Sequence, residues 1–125
     1  MVDCARTVLV VDDDPAIRDS LADLLNDEGY EVVTAANGRD ALEALRALGA
    51  KPCLILLDLM MPVMNGAQFY AEQQQDRELS SIPVVIISAD TNVRQKASSF
   101  GGEYLAKPAP VDRVLETVSR HCAAA

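Results

Sequence analysis

Val8-Leu9-Val10-Val11-Asp12-Asp13-Asp14-Pro15 is the stretch that decides the fold. Four apolar residues, mostly β-branched, run without alternation into three acids. A strand with no polar face is buried on both sides, which is the mark of a parallel sheet covered by helices. Two further runs repeat the pattern, Leu54-Ile55-Leu56-Leu57 ending at Asp58 and Val84-Val85-Ile86-Ile87 ending at Ser88. Glu31–Ala35 and Tyr104–Ala106 are weaker strand segments.

Helical stripes separate these runs. Ile17, Leu21, Leu24 and Leu25 recur at helical spacing before Gly29. Ala41, Leu42, Leu45 and Leu48 do so before Gly49, and Val93, Ala97 and Phe100 before Gly101-Gly102. Val111, Val114, Leu115, Val118 and Cys122 form the last stripe. Glycine after the final apolar residue is the usual helix stop. Gly66–Arg77 is the weakest helix, because Gln73-Gln74-Gln75 is polar where a buried stripe should continue. The order βαβαβαβαβα predicts an α/β fold, a (βα)5 flavodoxin-like five-stranded parallel sheet of order 2-1-3-4-5 with helices on both faces. One such unit consumes residues 1–125, with no repeat and no linker.

Composition narrows the function classes. Half of the 125 residues are apolar and 24% are charged, as in globular proteins rather than disordered ones. The net charge of −8 argues against direct nucleic-acid binding, because such a surface repels phosphate backbones. No apolar run reaches membrane-spanning length, and the N-terminus does not read as a secretory signal. Cys4, Cys53 and Cys122 show no CxxC spacing. They read as free, packed thiols of a cytoplasmic protein.

In this architecture ligands bind beyond the carboxyl ends of the strands. Those ends are Asp12-Asp13-Asp14, Asp58, Ser88 and Lys107-Pro108. Asp14 reads as a helix N-cap, since Pro15 follows it at the favoured first helical position. A cap explains Asp58 poorly, because Met61-Pro62 and Met64-Asn65-Gly66 place a turn before the next helix. Clustered carboxylates suit a hard divalent cation, and a carboxylate beside one can act as a phosphoryl-accepting nucleophile. Lysine and serine supply a cation and a hydroxyl for the phosphoryl oxygens.

From Thr7 to about Cys122 the chain resembles the receiver domain of bacterial two-component response regulators, the family of the chemotaxis response regulator. The resemblance rests on Val10-Val11-Asp12-Asp13-Asp14-Pro15, Leu57-Asp58-Leu59-Met60-Met61-Pro62-Val63-Met64-Asn65-Gly66, Ile87-Ser88-Ala89 and Tyr104-Leu105-Ala106-Lys107-Pro108 in that order. It implies Asp58 as phosphoacceptor. It implies Mg²⁺, or Mn²⁺ in its place, held by Asp12, Asp13, Asp58 and the Met60 backbone carbonyl. Lys107 and Ser88 would assist the chemistry, Ser88 and Tyr104 would form the switch, and the Lys107–Pro108 bond would be cis. The partners implied are a histidine kinase or histidine phosphotransfer protein, and an effector on the face of the fourth helix, fifth strand and fifth helix. Such a chain is no enzyme beyond its own phosphorylation and dephosphorylation. Met60 and Asp90 fall where the family tunes dephosphorylation. Gln73 departs from the family pattern of a buried apolar residue. Alternatives are a degenerate receiver that only binds protein and an aspartyl-phosphate phosphohydrolase. The latter wants a second acid two residues after the nucleophile, where Met60 stands.

Overall fold

The five apolar runs and the stripes between them form β1 (Thr7–Val11), α1 (Pro15–Asp27), β2 (Glu31–Ala35), α2 (Gly38–Ala47), β3 (Leu54–Leu57), α3 (Gly66–Gln75), β4 (Val84–Ser88), α4 (Val93–Ala97), β5 (Tyr104–Ala106) and α5 (Val111–His121). The structure is a computed structural model and describes residues 6–48 and 51–122. All four strand pairings are parallel, in the order β2-β1-β3-β4-β5. The expected topology is therefore present. Gly49, assigned above to end α2, lies outside the described residues, as does Cys4.

Side chains alternate across the sheet and build two cores. Val8, Val10, Leu54, Leu56, Val85, Ile87 and Leu105 pack against α1 and α5 through Leu21, Leu25, Val114 and Val118. Leu9, Val11, Ile55, Leu57, Val84 and Ile86 pack against α2, α3 and α4 through Leu42, Leu45, Phe69, Val93 and Ala97. Both faces of β1 and β3 are fully buried, which is why those strands carry no polar alternation. No helix among the described residues is long and apolar enough to cross a membrane.

The helix signals act as their chemistry requires. Asp14 caps α1 by accepting from Ala16 N at 2.9 Å, with Pro15 in the first turn. Asn65 and Gln68 form a reciprocal capping box at the start of α3. The α4 stripe is shorter than its spacing suggests, since the helix tightens into a 3-10 turn over Ser98–Phe100 before Gly101 and Gly102 at positive φ. Tyr70 of α3 meets the Phe100 ring edge-on at 5.0 Å between centroids.

Two sequence readings need correction. Gln73 does not interrupt the buried face of α3 but lies fully inside it. Its Nε2 donates to Leu79 O at 2.9 Å and Ile82 O at 3.0 Å. It thereby pairs Ile82 O, which an apolar residue would leave without this donor, and adds a second donor to Leu79 O, which already accepts from Ile82 N at 3.1 Å. The cysteines are not all free thiols, because Cys53 and Cys122 form a disulfide. They are 69 residues apart in sequence, but the sheet sets the start of β3 beside the end of α5, with Cα atoms 5.2 Å apart.

Gln73→Leu keeps the volume but removes both donors. It should lower unfolding free energy by about 1–3 kcal/mol, read as a shift in urea midpoint with unchanged slope.

Candidate functional site

Three backbone hydrogen bonds carry the ladder one residue past the strands. Asp12 N donates to Ala35 O at 3.1 Å, Asp58 N to Val11 O at 2.9 Å, and Lys107 N to Ser88 O at 2.9 Å. The site residues are thus held by the sheet itself. Period-two alternation then sorts their side chains. Asp12 continues Val8 and Val10, Asp58 continues Leu54 and Leu56, and Lys107 follows Leu105, all on the α1/α5 face. Ser88 follows Val84 and Ile86 on the other face, where Tyr104 also packs.

Lys107 Nζ lies 2.6 Å from Asp12 Oδ2 and 3.4 Å from Asp58 Oδ2. Asp12 is fully buried and Asp58 nearly so. Asp13, which is exposed, adds a third carboxylate; ligand atoms of Asp12, Asp13 and Asp58 all lie within 4.8 Å of one another. Further donors brace the cluster. Asp14 N donates to Asp12 Oδ1 at 2.9 Å and Met60 N to Asp58 Oδ1 at 3.3 Å. Arg18 reaches back from α1 to donate to the Asp12 carbonyl at 2.8 Å. The sequence reading missed Arg18; its place on the helix that follows the acidic run was the available signal.

Burial pushes the Asp58 carboxyl above its ordinary value; Lys107 opposes that shift, while the Asp12 charge adds to it. Burial alone would lower the Lys107 ammonium. The hydrogen bond to Asp12 and the charges of Asp58 and Asp12 overcome it and hold Lys107 above its usual range. Three carboxylates against one ammonium leave an excess of negative charge, and all three acids offer hard oxygen ligands. That donor set fits a small divalent cation.

The loop from β3 to α3 is shaped around this cluster. Gly66 is obligatory there, since a Cβ would come within 2.7 Å of the Asp58 carbonyl and 2.8 Å of Leu59 Cα. Val63 sits at φ 66°, a left-handed conformation costly for a β-branched residue. Met60 and Val63 are both exposed. The Lys107–Pro108 bond is cis. Ser88 does not bond Asp58; its Oγ accepts from Asp90 N at 3.2 Å. The Asp90 carboxylate pairs with Lys96 of α4 and accepts from Asn92 N, which holds it below the usual carboxylate range.

Residues 8–119 match the family model of the response regulator receiver domain. The chain belongs to that family. It is 32% identical to protein PilH of Pseudomonas aeruginosa over 115 residues, covering 90% of this chain and 93% of PilH. It is 38% identical to the DNA-binding response regulator MtrA of Mycolicibacterium smegmatis over 106 residues, 82% of this chain but 44% of MtrA, so it spans under half of that relative. Among solved structures, the chemotaxis response regulator CheY4 of Vibrio cholerae superposes with a TM-score of 0.79 at 34% identity, covering 91% of this chain and 96% of that one. The response regulator TrrA of Thermotoga maritima, solved in complex with Mg²⁺-BeF, gives 0.78 at 32% identity over 92% and 97% of the two chains. The receiver family works with histidine kinases and effectors, so the expected fold and function class of this chain stand.

A raised carboxylate pKa in the folded state means that ionised Asp58 costs stability above that pKa and nothing below the unfolded value near 3.8. In metal chelator, Asp58→Asn should therefore be the more stable protein at neutral pH, by about 1 kcal/mol. The advantage should shrink as pH falls toward 3.8, as measured by urea unfolding across pH.

Proposed function

We propose that Asp58 is the phosphoacceptor and that residues 1–125 act as a single receiver unit of a phosphorelay. The observation that carries this is the convergence of Asp12, Asp13, Asp58 and Lys107 from three strand ends onto one point. An Asp58 oxygen attacks the phosphorus of a phosphohistidine on a histidine kinase or phosphotransfer protein. The phosphorus–nitrogen bond breaks, and the imidazole leaves with the electron pair and takes a proton. Lys107, already charged and within reach of Asp58, offsets the repulsion between two anions. Asp12, Asp13, Asp58 and the Met60 carbonyl would hold Mg²⁺ or Mn²⁺. When bound, that ion supplies charge neutralisation of the transferring phosphoryl group. The chain catalyses no reaction beyond gaining and losing this phosphoryl group, and it acts in the cytoplasm through protein partners rather than nucleic acid.

Ser88 and Tyr104 form the switch. Ser88 pairs in register with Ala106, and Tyr104 lies two residues before Ala106 on the same face. A phosphoryl group on Asp58 gives the Ser88 hydroxyl an acceptor on the opposite side of the strand end. Movement of Ser88 toward it vacates space on the α4 side that the half-buried Tyr104 ring fills. The face of α4, β5 and α5 is the effector-binding surface remodelled by that shift.

Acetyl phosphate with Mg²⁺ should add one phosphoryl group, seen by intact mass. Labelling should disappear in Asp58→Asn or with chelator and fall at least about tenfold in Asp13→Ala. Labelling of Asp58→Asn at the wild-type rate would refute the assignment. Ser88→Ala should still be labelled. Its amide NMR shifts should stay near 12–14 and 58–60, whereas in wild type they extend to Tyr104 and α4; equal spread in both would refute the switch.

A further inference from the structure

The receiver chemistry makes no use of the sulfur pair at the opposite end of the sheet. Cys53 directly precedes β3, and Asp58 directly follows it, roughly 16 Å away at 3.3 Å per residue. Cys122 directly follows α5 and is buried against the α1/α5 core, while Cys53 is half-buried at its margin. Their Cα separation of 5.2 Å is within the span that a disulfide bridges without backbone movement. Both residues keep ordinary backbone bonds, Cys53 N to Thr7 O and Cys122 N to Val118 O, each at 2.9 Å. Neither ladder nor helix depends on the sulfur bond. Core size points the same way, because a domain of this length closes a core without a covalent staple. The last turns of α5 have other anchors too, since Val118 is buried and Glu103 pairs with Arg120 and His121.

We propose that Cys53 and Cys122 are a reversible dithiol–disulfide site that pins or releases the end of α5 according to the redox state of the surrounding thiol pool. The oxidant is a low-molecular-weight disulfide such as glutathione disulfide. The thiolate of the more accessible Cys53 attacks one sulfur of that disulfide, giving a mixed disulfide and one glutathione thiolate. The Cys122 thiolate then attacks Cys53 Sγ, closes the intramolecular bond and expels the second glutathione. The protein loses two protons and two electrons, and the glutathione disulfide is reduced to two thiols. Reduction reverses the sequence, with the external thiolate entering at Cys53. The closed bond joins the start of β3 to the end of α5, an element of the proposed effector surface, and leaves the Asp58 end of β3 untouched. Redox state thus acts on the binding face without entering the phosphoryl site.

The test equilibrates the full chain in glutathione buffers of graded ratio, traps thiols by alkylation and maps peptides by mass. The expected result is a Cys53–Cys122 peptide lighter by two hydrogens, formed in oxidised buffer and fully lost in reduced glutathione without denaturant. Amides 119–122 should exchange roughly tenfold more slowly in the oxidised protein, a difference absent in Cys53→Ser and in Cys122→Ala. Using both variants guards against a folding defect at the buried position. Failure of the pair to form, pairing through Cys4 instead, resistance to reduction in the native protein, or equal exchange of 119–122 in both states would each overturn the proposal.

Discussion

One ammonium placed against two buried carboxylates is the contact on which the site depends. Lys107 arrives on β5, two strands away from Asp58 and three from Asp12, and still lies within 3.4 Å of both acids. Without it, Asp12 and Asp58 would be like charges in a low-dielectric pocket, a situation that favours protonation over reactivity. With it, the acids stay close and one charge of the cluster is neutralised. The remaining negative charge is what a divalent cation can neutralise. Electrostatic strain in the resting site is thus tied to the chemistry proposed for it.

Rigid backbone makes that strain tolerable. Asp12, Asp58 and Lys107 are each fixed by the sheet ladder extended by one step rather than by a free loop. The β3–α3 loop adds its own constraints, with Gly66 pressed on the Asp58 carbonyl and Val63 held at positive φ. That loop follows β3, which like β1 is buried on both faces. The same alternation that buries those strands separates roles. It sends Asp12, Asp58 and Lys107 to one face and Ser88 and Tyr104 to the other, so the two groups meet only across the sheet edge.

Several residues gain meaning only from neighbours distant in sequence. Gln73 looks like a fault in an amphipathic helix until Leu79 O and Ile82 O are seen beside it. Its Nε2 gives Ile82 O a donor inside the core and reinforces Leu79 O, while its Oε1 is buried without a partner among the described residues. Asp90, which looks like a loop acid, sits between Ser88 and Lys96 of α4 and joins the strand end to that helix. Arg18 looks like an exposed helix residue but grips the Asp12 carbonyl.

The sequence by itself determined the βα alternation, the parallel sheet and its order, and the acids, serine and lysine at the strand ends. Apolar runs without alternation, glycine stops and the Asp14-Pro15 cap are local signals, and local signals are written in adjacent residues. The receiver motifs carried the same information in a denser form, including the cis bond at Pro108. Tertiary structure alone decided the rest. Which carbonyls Gln73 reaches, which faces Asp58 and Ser88 take, what Arg18 touches and whether Cys53 meets Cys122 all depend on through-space distances that the local sequence does not set. The cysteines show the limit most clearly. Their spacing matches no motif, and composition argued for free thiols; only the packing of α5 beside the start of β3 brings them within bonding distance.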